Sequence, residues 1–240
     1  MKLEIKKTYK INDEDDWLRV APPMKIEHWK NGRSAKLLAQ YATSKKFVSD
    51  INKFLKGLGV KIEASAIAEP EAITTLPNKG NGRNHDLLID DNNFIIGIEA
   101  KVAELFGNDT IINEYLKGSE NKKERIDSLL SVINKKLDDV QDCRYQLLTG
   151  YVGTILEAKN KKKDKCVFLI IVFTGNVHIE DNEKINVAKN ETEYKTFYEM
   201  LGISDGEYKE YNIGGDTINC AIKKVSINVG RTENEFLLDK

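Results

Sequence analysis

The sequence predicts an α/β protein in which helices flank a mixed β-sheet, in the core order helix, three strands, helix, strand. Three patterns support this prediction. Apolar residues recur at helical spacing after Gly32, two strand patterns joined by a polar turn lie between Asp86 and Lys101, and the run Cys166–Phe173 is wholly apolar. A short apolar run rich in β-branched and aromatic residues is typical of a central strand covered on both faces.

Length and composition favour one folded unit. The chain has 240 residues, of which 40% are apolar, and this is enough for one sizeable core without disulfides or metal staples. Its 37 basic and 38 acidic residues nearly balance, giving a formal net charge of -1. A nucleic-acid partner would therefore have to be held by a local basic face. We expect a single domain over residues 1–240.

Cysteine usage and the N-terminal segment predict a cytoplasmic protein. The three cysteines, Cys143, Cys166 and Cys220, are scattered and lack Cys-x-x-Cys spacing, which disfavours both a disulfide framework and a zinc knuckle. The N-terminal segment has no apolar core of signal-peptide length. No run approaches the roughly 20 apolar residues of a membrane span, so we expect no membrane partner.

The first predicted helix covers residues 34–56, where apolar residues recur every three or four positions and Ser34 is placed to cap the helix. Glycines at 57 and 59 end it. Trp29, just upstream, is interpreted as an amphipathic residue at the core edge, with stacking on a ligand as the alternative. Apolar and polar residues then alternate over Val60–Ala66, which predicts a half-buried strand, and the segment at Pro70–Glu71 is predicted to be a loop.

Two further strands are predicted at Asp86–Ile89 and Phe94–Lys101, with Asp90–Asn93 as the turn of a hairpin. A tight turn of two or four residues would place Ile89 opposite Phe94. This pairing sets which side chains of the hairpin share a face, because successive residues of a strand point to opposite faces.

Counting outward along this hairpin places Asp86 opposite Gly97, with Glu99 as the diagonal neighbour of Asp86. Lys101 lies two residues beyond Glu99 and therefore points to the same face. Diagonal neighbours are roughly 7 Å apart at the backbone, so two inward-leaning carboxylates could bind one Mg²⁺. Phosphodiester hydrolysis uses such a cation together with a lysine ammonium, which stabilises charge that grows on the phosphate.

The pattern Glu-x-Lys is common in this charged chain and has little weight by itself. It also occurs at residues 4, 120, 157, 193 and 207, and Glu157-Ala-Lys159 repeats the tripeptide of residues 99–101 on a predicted helix. Glu99 differs because it ends an apolar strand and has an acidic partner across the predicted hairpin. The alternative is an ordinary sheet whose solvent face carries charges.

The remaining pattern predicts helices, a buried strand, a helix and a last strand. In chain order these elements are expected near residues 126–137, 145–155, 166–173, 193–201 and 217–228.

These residues resemble the PD-(D/E)XK, or restriction-endonuclease-like, nuclease superfamily, in which an acid on one strand is followed by acid-x-Lys on the next. The order of elements also matches the core of that superfamily. More narrowly, the chain resembles an uncharacterised bacterial branch of it. The segments that carry the resemblance are His28–Ala35, Pro70–Glu71, Asp86, Glu99–Gly107 and Arg144–Leu148.

The resemblance implies a restriction-endonuclease-like core at about residues 34–175, with extensions at 1–33 and 176–240 packed on it. It implies Asp86 and Glu99 as ligands of Mg²⁺ or Mn²⁺, the Ala100 carbonyl as a third ligand, and Lys101 as the catalytic lysine.

This chain departs from the superfamily at two places. Many members carry a glutamate on the first core helix, which has none here; Glu71 could replace it, and a solvated loop acid is the alternative. His85 stands where the proline of the motif would be and is interpreted as a polar residue at a strand edge, since Mg²⁺ prefers oxygen donors. Gln146 and Arg144 are expected to support the site or to contact phosphate, with a helix-surface role as the alternative.

The functional prediction is a metal-dependent nuclease that hydrolyses phosphodiester bonds in nucleic acid, with DNA favoured and a homodimer as one arrangement for cutting both strands. The alternative from another class is an inactive nuclease fold that binds nucleic acid or protein. A third hypothesis is a defence or toxin component that acts on RNA. A resemblance of fold does not decide between them, because function resides in the site.

Overall fold

The computed structural model describes residues 1–5, 9–23, 26–140, 142–230 and 235–238. Within these residues nine strands form one mixed sheet flanked by helices, which confirms the predicted α/β class. The strands are β1 (Lys2–Ile5), β2 (Tyr9–Lys10), β3 (Ile67–Thr74), β4 (Arg83–Asp90), β5 (Ile95–Lys101), β6 (Lys165–Gly175), β7 (Tyr208–Ile213), β8 (Asp216–Val229) and β9 (Phe236–Leu238). The α-helices are α1 (Glu14–Val20), α2 (Ser34–Thr43), α3 (Phe47–Phe54), α4 (Ile111–Lys117), α5 (Glu120–Val132), α6 (Tyr145–Asn160) and α7 (Lys184–Leu201).

The strand order in the sheet is β2-β1-β3-β4-β5-β6-β8-β7, and β9 also pairs with β8. Strand β4 runs antiparallel to both of its neighbours, β3 and β5, whereas β5, β6 and β8 are parallel. Segments 1–33 and 176–240 both contribute strands, since β1 pairs with β3 and β8 pairs with β6. The two predicted extensions therefore widen the sheet.

Each face of the sheet carries its own apolar core. Helices α2 and α3 cover one face, and α5, α6 and α7 cover the other. Strand β6 lies between β5 and β8 and alternates between the two cores: Val167 and Leu169 belong to the first, Phe168 and Ile170 to the second. Burial on both faces explains the uninterrupted apolar run, as predicted.

Glycines let helix α6 approach the sheet closely. A Cβ at Gly150 would lie 2.5 Å from the Phe168 ring, and one at Gly153 would lie 3.0 Å from the Arg83 side chain. Gly97 of β5 likewise faces the Thr154 hydroxyl of α6 with no room for a Cβ. Helix α6 is thereby held close to the first residues of β4 and the last residues of β5, where the predicted site lies.

The strand predicted at Val60–Ala66 is wrong. The paired strand is β3, which starts at Ile67 and includes the Pro70–Glu71 segment predicted to be a loop. The predicted alternation of burial holds only in part, because Val60, Ile62 and Ala66 are buried but Ala64 is exposed. Side-chain oxygens of other segments accept hydrogen bonds from the backbone N–H groups of Ile62 and Glu63. β1 pairs with β3 only at its first two residues, so a proline is tolerated further along that edge.

The helix predicted over residues 34–56 is two helices, α2 and α3. Thr43 turns its hydroxyl back to the Ala39 carbonyl at 2.8 Å, and α2 ends at this residue. The predicted N-cap is also wrong: Arg33 occupies the cap position, and Ser34 is the first helical residue and donates its hydroxyl to Glu104 at 2.8 Å.

The hairpin register differs by two residues from the prediction. Asp90 pairs with Ile95, and Asp91 to Phe94 form the loop, which closes through a 3.0 Å bond from the Asp91 N–H to the Phe94 carbonyl. Phe94 therefore lies in the loop, although its side chain is buried in the core. A shift of two preserves parity, so the predicted faces of β5 are correct although Gly97 lies opposite Leu88 and not Asp86.

The later elements follow the prediction in part, and α4, β7 and β9 were not predicted. Helix α6 and strands β6 and β8 are confirmed, and α7 starts earlier than expected, at Lys184. Helix α5 overlaps the helix predicted at residues 126–137 but starts earlier, at Glu120, and ends at Val132. None of the helices in the described part of the chain is both long enough and apolar enough to span a bilayer.

Candidate active site

Three acidic residues lie in a row across three neighbouring strands. Pro70 pairs with Leu87 and Ala72 with His85, so Glu71 of β3 stands opposite Asp86 of β4. Counting one residue beyond the last β4–β5 pair, Leu87 with Ile98, places Asp86 opposite Glu99. The structure therefore brings Glu71 into the site, as one of the two alternatives predicted.

The sheet opens at this row. Glu71 has a positive φ of 52°, an unusual conformation for a non-glycine residue. The Asp86 carboxylate accepts a 2.7 Å hydrogen bond from the Ala100 backbone N–H, a position that a backbone carbonyl would occupy in a regular ladder. Ala100 is thus at the site, and its N–H contacts Asp86; the role of its carbonyl as a metal ligand stays a prediction.

Glu99 lies at the centre of a buried network of charged and polar groups. Lys101 Nζ is 2.7 Å from Glu99 Oε1, and Gln146 Nε2 donates to the same oxygen at 2.8 Å. Lys101 also donates to Gln146 Oε1 at 3.2 Å, and the Arg83 guanidinium binds Glu99 Oε2. Glu99 is 1% exposed and Lys101 is 7% exposed. Gln146 therefore contacts both Glu99 and Lys101, whereas its role in supporting a catalytic site stays a prediction.

Arg144 belongs to a different contact. Its guanidinium binds the Glu193 carboxylate and donates to the Asn108 carbonyl at 3.0 Å, and Arg144 is not among the residues that line the cleft around Glu99. The structure brings together Glu71, Asp86, Glu99, Lys101 and Gln146 but leaves Arg144 outside this group.

The acids of the row differ in their proton affinity. Burial and the nearby Glu99 charge raise the pKa of Asp86 to about 8, although Lys101 and the Ala100 N–H act against this. Burial also raises the pKa of Glu71. Burial would raise that of Glu99 as well, but Lys101 and Arg83 outweigh it and lower its pKa. The cations near the row thus favour ionised Glu99, and Asp86 has the weaker compensation.

Sequence analysis missed two residues of this site. Arg83 starts β4 three residues before Asp86 and supplies the second cation on Glu99. The sequence of β4 alone does not show that the Arg83 side chain extends to Glu99 on the next strand. Glu104 accepts hydrogen bonds from the Ser34 hydroxyl and, at 2.8 Å, from the Val102 N–H, and it lines the cleft. Its place in the Glu99–Gly107 segment was the available signal.

His85 is fully buried, contrary to the interpretation as a strand-edge residue. Its ring faces Gly97 and Gly153, and within the described residues neither ring nitrogen has a hydrogen-bond partner. Burial, together with the Arg83 charge, lowers the pKa of His85 to about 3. The ring is therefore neutral at physiological pH.

The site forms the floor of a cleft of about 740 Å³. Residues from the segment around α1 and α2 form one wall, including Trp29 and Arg33. The β3–β4 connection and the first turns of α5 form another wall, including Lys79 and Arg125. In the described part of the chain, no group of three or more His, Cys, Asp or Glu side chains is close enough to hold a metal ion jointly.

Comparison with known proteins gives one match. No curated protein and no solved structure matches the chain. The profile of a family described as a domain of unknown function (DUF6946) matches residues 10–231, most of the 240 residues. The chain therefore belongs to the DUF6946 family.

Proposed function

We propose that this protein is a Mg²⁺- or Mn²⁺-dependent nuclease that hydrolyses phosphodiester bonds, with DNA as the favoured substrate. The observation that carries the proposal is the convergence of Asp86, Glu99 and Lys101 on the floor of one cleft. Metal-assisted phosphodiester hydrolysis requires carboxylates that can bind a cation, an ammonium beside them and a cleft that admits the substrate, and the site has all three.

The donor set fits a hard divalent cation. Asp86 and Glu99 offer carboxylate oxygens, and Glu71 lies next in the row; such oxygens are the ligands that Mg²⁺ prefers. The raised pKa of Asp86 marks a place where positive charge is lacking. A cation held by Asp86 and Glu99 would neutralise phosphate charge and make water a better nucleophile.

The remaining groups act on the substrate without the cation. Lys101 is directed by Glu99 and Gln146, so its ammonium is preorganised to donate to an oxygen of the scissile phosphate. Arg83 binds the far oxygen of Glu99 and fixes the orientation of that carboxylate. Asp86 is partly exposed to the cleft, as is Glu71, whereas Glu99 is buried, so substrate and solvent can reach Asp86 directly.

The test is cleavage of a panel of labelled DNA and RNA substrates with Mg²⁺ or Mn²⁺. Lys101→Met should abolish cleavage, and Lys159→Met is the matched control because it alters the same Glu-Ala-Lys tripeptide on α6. Equal activity of the Lys101 variant and the native protein would refute the assignment. Cleavage of RNA alone would favour the defence or toxin hypothesis.

A binding module without cleavage is the second candidate. Both Glu99 oxygens already have partners, since Lys101 and Gln146 bind one and Arg83 binds the other. At least one of these contacts would have to break before Glu99 could bind a metal ion. Calorimetric titration with millimolar Mg²⁺ and Mn²⁺ decides, because the absence of uptake would favour the binding module.

Homodimer formation and a cytoplasmic location stay predictions. Light scattering during size-exclusion chromatography tests the first, and cell fractionation tests the second.

A further inference from the structure

The reacting groups lie deep beneath two unlike walls. Glu99 and Lys101 are almost completely buried, so a phosphate must enter the cleft to reach them. The cleft is lined by six cationic and four acidic side chains, although the whole chain has a formal net charge of -1. Four of these cations are already ion-paired with carboxylates. Lys79 and Arg125 have no ion pair with the described residues, so they are the cations available to the phosphates of a nucleic acid. The six cations are Arg33, Lys79, Arg83, Lys101, Lys122 and Arg125.

The first wall carries an aromatic residue. Trp29 follows a short 3-10 turn, Ile26–His28, and the backbone N–H of Trp29 donates a hydrogen bond to the Ile26 carbonyl at 2.9 Å. Its side chain is partly buried: it packs against the core on one side and lines the cleft. Trp17 also lines the cleft but is only 2% exposed. Trp29 is therefore the indole positioned to contact a ligand.

The second wall is the loop between β3 and β4, which is bound by helix α5. Arg125 of α5 binds the Asn81 carbonyl and donates to the Lys79 carbonyl at 3.5 Å. Gly80 has a φ of 130° and lies against the Arg125 guanidinium, where a Cβ would not fit. The Lys79 side chain at the loop tip is exposed and forms no ion pair with the described residues. The loop thus presents a free ammonium at the rim of the cleft.

We infer that this cleft binds single-stranded nucleic acid, with one base stacked on Trp29 and the backbone phosphates held along the wall that includes Lys79. In a duplex the base faces are covered by their neighbours, so only an unpaired base can stack on an indole. A cationic wall combined with an aromatic platform is the arrangement that binds single strands without sequence preference. The inference deepens the proposed function. The binding of a single strand is independent of that function, and only the view of the bound strand as a substrate rests on it.

The two tryptophans of the chain allow a direct measurement. In Trp17→Phe, the emission of Trp29 is observed alone while a 12-nucleotide oligothymidine is added in EDTA, which prevents metal-dependent cleavage. We expect quenching by the single strand and little by a blunt duplex of equal length. Equal binding of the duplex, or binding without change in Trp29 emission, would overturn the inference.

Variants separate stacking from charge. Trp29→Leu keeps an apolar side chain against the core and should weaken oligonucleotide binding about 5- to 150-fold, the range of one stacked base. Lys79→Ala should weaken binding and reduce the salt slope by about 0.7, the value for one phosphate of a single strand. Lys45→Ala, an exposed lysine outside the cleft, is the control.

Circular dichroism and thermal melting identify any variant that fails to fold, and Trp29→Phe then replaces Trp29→Leu, with a smaller loss of binding expected. Unchanged affinity in a folded Trp29→Leu protein would refute stacking. Binding in EDTA without cleavage in Mg²⁺ or Mn²⁺ would support this inference and contradict the nuclease. Cleavage of duplexes without preference for single strands would support the nuclease and contradict this inference.

Discussion

Replacing Asp86 by Asn should stabilise the protein in the absence of metal. The pKa of Asp86 is raised by burial and by Glu99 to about 8, far above the 3.8 of an unperturbed aspartate. Below about pH 4 the carboxyl is protonated in both the folded and the unfolded states, and the substitution removes no charge. Between about pH 4 and 8 the unfolded state releases the proton first, so the native protein loses stability as the pH rises. The Asp86→Asn variant would avoid this loss.

The size of the effect follows from the shift. Each pKa unit corresponds to about 1.4 kcal/mol, so the full shift would give about 5 to 6 kcal/mol. Asp86 is partly exposed, and solvent screening reduces this value. We expect about 2 kcal/mol near pH 8, or about 4 to 8 °C in melting temperature for a chain of this length. An amide oxygen can still accept the Ala100 N–H, so this contact of Asp86 is preserved.

Thermal melting of both proteins in EDTA at several pH values between 4 and 8.5 is the assay. The stability gained by the variant should grow with pH up to about 8 and then level off, whereas Asp164→Asn, at an exposed position, should show no such trend. Adding Mg²⁺ should stabilise the native protein, by about 2.7 kcal/mol at 100 times the Kd, and leave the variant almost unchanged. A less stable variant, or a difference independent of pH, would refute the view that Asp86 lacks a compensating charge.

Arg83→Gln should destabilise the protein by about 3 kcal/mol in urea unfolding, because it removes one partner of a buried ion pair while other donors on Glu99 remain; a change below about 0.5 kcal/mol would contradict this. Gly150→Ala should cost about 1 to 3 kcal/mol because its Cβ meets an aromatic ring of β6 at 2.5 Å, whereas Gly57→Ala, with open space around it, should be neutral or slightly stabilising. His85→Leu should remove an acid sensitivity: the pKa of this buried imidazole is lowered to about 3, so the native protein loses stability as the pH falls below about 6.5, when the unfolded chain takes up a proton. A pH-independent stability difference between the native protein and this variant in that range would refute the assignment.

The sequence correctly predicted that Glu99 and Lys101 share one face of the sheet, but it did not predict the register of the β4–β5 hairpin. Glu99 and Lys101 point the same way because both lie on one strand at an interval of two, and this parity survives a register error of two residues. The register itself depended on whether Phe94 belongs to the strand or to the loop. In the structure the Asp91 N–H donates to the Phe94 carbonyl and closes the loop there, and an apolar pattern does not show which residue accepts this bond.

The error at the first core strand has a similar origin. Val60 and Ile62 alternate and are buried, as in a strand, yet their segment pairs with no neighbouring strand because side-chain oxygens of Asn52 and Asp91 accept its N–H groups. Pro70 argued against a strand at the place where one exists. The proline is compatible with β3 because the pairing with β1 ends at Ala68, and the extent of that pairing cannot be read from the sequence of β3.

The two Glu-Ala-Lys tripeptides of this chain show why the backbone beneath a motif decides its chemistry. On β5 the first and third residues share a face, so Glu99 and Lys101 meet at 2.7 Å in a buried site. On α6 residues two apart diverge, and Glu157 contacts Thr74 and Lys161, the latter one helical turn away. The helical copy therefore cannot combine an acid and an ammonium on one phosphate. For this reason the loss of function expected for Lys101→Met should not occur for Lys159→Met, and equal losses in both variants would show that the lysines act only through overall charge.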